Sequence, residues 1–89
     1  MRLVWDEAAW EDYKHWQTVD RRILKRINLL LDACLREPFG GIGKPEQLKY
    51  GAQGAWSRRI NEEHRLVYLV DDGDLIILQA RYHYLSLIH

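Results

Sequence analysis

Cysteine, proline and methionine are scarce in this chain of 89 residues, and net charge is absent. A single cysteine, Cys34, cannot form an internal disulfide, which fits a reducing compartment such as the cytoplasm. Long hydrophobic runs are missing too. The longest, Leu66–Val70 and Leu75–Leu78, are far too short to cross a membrane. The opening Met1-Arg2-Leu3-Val4-Trp5-Asp6 lacks the apolar stretch of a secretory signal, so none is expected. No repeat or low-complexity tract appears. His83 and His89 could bind a metal only with a third ligand at suitable spacing, and none is visible, so neither metal nor cofactor is expected. Gly40-Gly41-Ile42-Gly43-Lys44 has no Ser or Thr after the lysine and no strand leading into it, which excludes a nucleotide-binding P-loop.

What is present is enough for one folded domain. Hydrophobic residues make up 47% of the chain, and four Trp with five Tyr can anchor a core. A chain of this length buries only about 60–65% of its unfolded surface, so a partner can contribute to stability. The 13 basic and 13 acidic residues cancel overall but are unevenly placed. Residues 38–60 carry Lys44, Lys49, Arg58 and Arg59 against Glu46 alone; residues 61–89 carry Arg65 and Arg81 against five acids. The basic segment can hold phosphate, yet the molecule lacks the global field of a strong binder of free nucleic acid.

The pattern predicts an α+β fold. Arg2–Trp5 forms a first strand, and Asp6 caps a helix reaching about Gln17. Thr18 or Asp20 caps a second helix, on which Ile23, Ile27, Leu30, Leu31 and Cys34 make one apolar stripe. Pro38 ends it. A long segment to Gly54 holds both prolines and five of the six glycines, and loops of this length tend to be functional. Strands follow at Ala55–Ile60, Arg65–Val70 and Leu75–Arg81, the last two joined at Asp71-Asp72-Gly73-Asp74. The expected architecture is two helices on one face of a small, mainly antiparallel four-stranded sheet. Strand alternation then puts Ser57 and Arg59 on the open face, and Gln79, Arg81 and His83 together opposite Leu78, Ala80 and Tyr82. Arg58 shares the Trp56 side and is read as structural.

The end of the last strand concentrates chemistry. Arg81-Tyr82-His83-Tyr84 joins a cation, an imidazole that titrates near neutral pH, and rings suited to stacking on bases. Those parts serve metal-free cleavage of RNA by its own 2′-hydroxyl. A base takes the hydroxyl proton, cations stabilise the phosphorane, and an acid protonates the departing 5′-oxygen. Glu46, between Lys44 and Lys49, is the candidate base, although a loop carboxylate paired with lysine is the plainer reading of its spacing. His83 is the candidate acid; a hydrogen-bonded surface histidine is the alternative. Arg65 or Arg59 is the transition-state cation, and Tyr84 stacks or assists proton transfer. Cys34 is core, His15 a helix-surface residue and His64 a turn residue.

Residues Pro38-Phe39, Gly43-Lys44-Pro45-Glu46, Leu48-Lys49, Trp56-Ser57-Arg58-Arg59-Ile60, Glu63-His64-Arg65-Leu66-Val67-Tyr68 and Arg81-Tyr82-His83-Tyr84 carry a resemblance across residues 1–84. The chain is similar to the Txe/YoeB toxins of bacterial toxin–antitoxin modules, within the RelE/ParE superfamily. The resemblance implies a microbial-ribonuclease-like fold and an endoribonuclease that cuts mRNA in the ribosomal A site. It implies a YefM-type antitoxin as partner, contact with operator DNA only through that antitoxin complex, no membrane, and admits a homodimer. On this chain the family's base falls on Glu46, its transition-state arginine on Arg65 and its acid on His83, with Tyr84 the C-terminal tyrosine. Lys49 and Arg59 fall on phosphate-binding positions, and Lys44 and Arg81 complete the expected substrate contacts. Two departures stand out: Ile42 replaces a frequent basic residue, and Leu85–His89 extends a toxin domain expected to end at Tyr84. Two other classes fit the superfamily: a ParE-like gyrase inhibitor, which needs no acid–base pair, and a non-catalytic RNA- or operator-binding module.

Overall fold

The computed structural model describes residues 1–82; His83, Tyr84 and the 85–89 extension lie outside the described residues. Asp6 accepts from the Ala8 amide and starts helix α1 (Glu7–Val19), which follows strand β1 (Arg2–Trp5). Asp20 ends α1 and begins α2 (Arg21–Arg36), its carboxylate accepting from the amides of Arg22 and Ile23. Of the two caps open to the sequence, Asp20 is therefore the one used. Glu37 closes α2 ahead of Pro38, as the proline requires. Strands β2 (Glu46–Gln47), β3 (Trp56–Arg59), β4 (Arg65–Asp71) and β5 (Asp74–Gln79) complete the chain.

The sheet has five strands rather than the four expected, in the order β1-β5-β4-β3-β2. The additional strand, β2, is two residues long and pairs antiparallel with β3. It carries too few residues to show a period, so only its partner reveals it. The sheet is also mixed, because β1 runs parallel to β5 along the far edge. The helices cover one face. Ala9, Trp16, Ile27, Leu30, Leu31 and Cys34 meet Ile60, Leu66, Tyr68, Leu75, Ile77 and Ala80 there. Each fully buried aliphatic chain in that layer contributes about 1.5–3 kcal/mol. The opposite face holds a smaller cluster of Leu48, Ala55 and Val67, with Leu78 against it.

Arg58 ties the long loop to the sheet. Its side chain is wholly buried on the helix face. Nη2 donates to the carbonyls of Glu37 and Gly40 at 2.6 Å each, Nη1 to Ile42 at 2.8 Å, and Nε to the Tyr68 hydroxyl at 3.0 Å. Tyr68 in turn donates to the Pro38 carbonyl at 2.7 Å, and burial pushes its phenol up to about 12, so it stays protonated. The guanidinium thus sits at the carbonyl end of α2, where the helix dipole favours a cation. One turn on, Gly43 has φ of +85°, and a Cβ there would lie 2.7 Å from a Leu30 methyl. Glycine alone permits that close approach. From Gly43 the chain enters the sheet: the Arg59 amide donates to its carbonyl at 2.7 Å.

The segment after β5 departs from the expected strand to Arg81. The register with β4 shifts between Val67 and Tyr68, which pair with Gln79 and Ile77, leaving Leu78 as the extra residue of a bulge. Alternation resets there, and β5 stops at Gln79. Beyond it the chain is held by side chains. Asp12 accepts from the Ala80 amide at 3.0 Å, Trp16 Nε1 donates to the Ala80 carbonyl at 2.8 Å, and the Tyr82 amide donates to His64 Nδ1 at 2.7 Å. The Tyr82 carbonyl accepts from the Arg65 amide and from Gln79 Nε2, both at 2.9 Å. These bonds hold Tyr82 at φ of +65°, a conformation that tyrosine rarely adopts unsupported. Arg81 consequently does not join the open face with Gln79: its guanidinium lies 6.0 Å from the Trp16 ring and 4.6 Å from that of Tyr82, against α1.

His64, expected as a turn residue, is buried at the centre of this arrangement. Because Nδ1 accepts, the neutral ring carries its proton on Nε2, which faces Glu63 Oε1 at 3.5 Å. Burial lowers its pKa, and Arg81 and His15 lower it further, against the opposing pull of Glu63 and Asp12. A histidine depressed below its ordinary 6.5 adds stability above that pH and loses it as pH falls through the folded value. The thermal midpoint should therefore drop faster below about pH 6.5 in the native chain than in His64→Asn, whose amide oxygen keeps an acceptor near Nδ1. Parallel pH profiles would remove His64 as the titrating group. Arg58→Met should strand four acceptors and cost about 3–5 kcal/mol, lowering the midpoint by more than about 12 °C. Arg59→Met, at an exposed position, should shift stability by less than about 0.5 kcal/mol. Urea titrations of both variants check that contrast.

Candidate functional site

On the face away from the helices, register decides which polar side chains meet. Glu46 lies opposite Ser57, Ser57 opposite Val67, and Val67 opposite Gln79, making one row across four strands. Residues directly opposite point to the same face. Arg59 and Arg65 form the next row and are register partners. Glu46 is thus the diagonal neighbour of Arg59, at about 7–8 Å between backbones. The floor beneath is Ser57, Val67 and Leu48, all buried. A carboxylate, two guanidinium groups and an apolar floor stand together on a rigid sheet.

The electrostatics of this face are uneven. Two arginines directly opposite across a ladder repel each other. Part of that repulsion is met by the β3–β4 turn. Arg65 is buried, and its Nη1 donates to the carbonyls of Asn61, Glu62 and His64 at 2.6, 3.1 and 3.1 Å. Those bonds orient the guanidinium as well as screen it. Arg59 is exposed, and its carbonyl accepts from Arg26 Nη2 at 3.2 Å. Among the described residues the ion pairs are Arg2–Asp74, Lys14–Glu11 and His64–Glu63, so neither arginine is neutralised by a carboxylate. Such a surface favours an anion.

The remaining expected residues divide. Glu46 sits on a sheet edge rather than in free loop, because Pro45 precedes it and β3 supplies its pairing. Lys44 holds φ of +53° beside Gly43 and lines a groove of about 350 Å³ with Arg26, Arg59, Asn61 and Glu62. Lys49 is exposed just beyond the buried Leu48. Arg81 lies apart, against α1. His83 and Tyr84 fall outside the described residues. Three contributors escaped the sequence reading: Arg26, whose guanidinium reaches the Arg59 carbonyl, and Asp12 and His64, which hold Ala80 and Tyr82. None carries a local signal, since each contact spans 18 residues or more. Cys34 is core as expected, buried beside Arg58 and Tyr68, with burial pushing its thiol up.

Comparison with known proteins identifies the family. A family model described as the YoeB-like toxin of bacterial type II toxin–antitoxin systems matches residues 5–84. Toxin YoeB of Escherichia coli K12 is 56% identical over 84 residues, which cover 94% of this chain and all of that protein. The solved YoeB/ParE toxin of Agrobacterium tumefaciens superposes with a TM-score of 0.90 at 48% identity, covering 94% of this chain and all of that one. A YoeB–YefM complex from Staphylococcus aureus gives 0.85 at 46% identity, with 94% and 98% covered. No helix among the described residues is long and apolar enough to cross a membrane. With the sheet order, the long loop and the resemblance all in agreement, the chain belongs to the YoeB-like toxins of bacterial type II toxin–antitoxin systems.

Proposed function

We propose that this toxin is a metal-independent endoribonuclease that cuts mRNA presented in the ribosomal A site, and that a YefM-type antitoxin holds it in check. The observation that carries the reading is the placement of Glu46 diagonal to the Arg59–Arg65 pair on one open sheet face. Glu46 would accept the proton of the attacking 2′-hydroxyl. Arg65, oriented by three turn carbonyls, would stabilise the phosphorane as negative charge gathers on its oxygens. Arg59, Lys44 and Lys49 would hold the flanking backbone. His83 would donate the proton to the departing 5′-oxygen, and Tyr84 would stack or assist. Its sequence neighbour Tyr82 supports this assignment, because the Tyr82 carbonyl is bonded to the Arg65 amide at the head of β4.

The zero net charge gives little attraction to naked RNA, so the ribosome must present the substrate. Cleavage of ribosome-bound message should therefore be far faster than cleavage of the same message free in solution. Equal rates would contradict that dependence. In single-turnover cleavage, Glu46→Gln and His83→Gln should each lose about 100- to 10,000-fold, and Tyr84→Phe much less. A substrate with sulfur in place of the bridging 5′-oxygen needs no acid. It should restore much of the rate to His83→Gln and little to Glu46→Gln. Rescue of both variants, or of neither, would overturn the assigned roles. Inhibition of gyrase supercoiling by a chain that cuts no message would replace the ribonuclease with a gyrase-directed toxin.

A further inference from the structure

The first two turns of α2 carry Arg21, Arg22, Lys25 and Arg26, with no acidic residue in the first turn. Cations at a helix N-terminus oppose the macrodipole, so the placement weakens the helix rather than supporting it. Asp20 caps the helix through the amides of Arg22 and Ile23 and forms no ion pair with these cations among the described residues. Two grooves of about 350 Å³ each lead away from this end of the helix. The first is lined by Asp20, Arg22, Ile23, Arg26, Ile60 and Asn61; the second contains Lys44 and Arg59. They share Arg26, Ile60 and Asn61, and so form one path from α2 to the sheet face. Asn61 gives its side-chain oxygen to the amides of Glu63 and His64, which leaves its NH₂ as a donor.

We infer that this path, together with the groove that adjoins it at Arg22 and carries Lys25, is a second RNA-backbone contact, in which Arg22, Lys25 and Arg26 bind phosphates flanking those held at the Arg59–Lys44 site. The inference rests on the nucleic-acid reading of that site and extends it across α2. A folding acidic peptide would need deep apolar anchor pockets, whereas Ile23 and Ile60 are the apolar residues lining the path. Spaced cations on a polar groove suit a phosphate backbone. The acids present, Asp20 and Glu62, are outnumbered by Arg22, Arg26, Lys44 and Arg59.

The test is the salt dependence of binding by Arg22→Gln/Lys25→Gln in the full chain. One arm uses a short 2′-O-methyl RNA oligomer, which cannot be cut; a second uses ribosomes without message; a third uses polyglutamate. Loss of two single-strand phosphate contacts should make the slope of log affinity against log salt shallower by about 1.4, and binding about 25-fold weaker at about 0.1 M salt. A change in the oligomer arm places the message strand on α2; a change in the ribosome arm alone places ribosomal RNA there. The variant's thermal midpoint should hold or rise, since two cations leave the helix N-terminus. Unchanged slopes in both RNA arms overturn the inference, and weakened polyglutamate binding with unchanged RNA slopes assigns the surface to an acidic protein. Because the oligomer cannot react, binding without any cleavage of ribosome-bound message would sink the ribonuclease reading and leave this contact standing.

Discussion

The buried guanidinium of Arg58 is the constraint on which the rest of this fold depends. The stretch from Pro38 to Gly54 has little core of its own, and a loop that long would ordinarily leave the domain surface. Arg58 prevents this by gathering the carbonyls of Glu37, Gly40 and Ile42 around one planar fork, with Tyr68 bridging to Pro38. A lysine could not do the same, since a point charge on a flexible stem lacks the fixed donor directions. Removing a charge-bearing hub from a dry interior leaves its partners unsatisfied, which is why such hubs are costly to lose.

That anchoring has a functional consequence. Once the loop is drawn across the carbonyl end of α2, Gly43 meets the end of β3 and the following residues reach the sheet edge as β2. Glu46 thereby becomes part of the same rigid surface as Arg59 and Arg65. A carboxylate on a sheet can be held far more closely than one on a free loop. The opposite side of Arg65 is secured by the turn carbonyls and by Tyr82, so the structural and chemical roles of the basic residues are divided. Arg58 holds the backbone, Arg65 is oriented and partly screened, and Arg59 remains available.

The segment after β5 shows a second division of labour. Asp12 and Trp16 from α1, with His64 from the β3–β4 turn, replace the ladder bonds that end at Gln79. Their geometry turns the chain at Tyr82, just before the residue proposed as the acid. Arg81 is taken up by the same arrangement, stacked on aromatic rings instead of facing the cleft.

The amino-acid sequence by itself determined the helices, four of the five strands, the apolar stripe of α2 and the structural role of Arg58, because each of these follows from local periodicity or capping. It also placed Glu46, Arg59 and Arg65 among the candidates, since unpaired charges in a Gly-rich loop and on alternating strand positions are visible without a fold. Tertiary structure decided the rest. A two-residue strand has no period, so β2 exists only through pairing with β3. The sequence extends strand alternation to Arg81, but β5 ends at Gln79 and side chains from α1 and the β3–β4 turn redirect the chain there, which is why Arg81 was expected on the wrong side. His64 and Asp12 acquire their roles from contacts with Tyr82 and Ala80, 18 and 68 residues away, and no local pattern encodes a hydrogen bond across that distance.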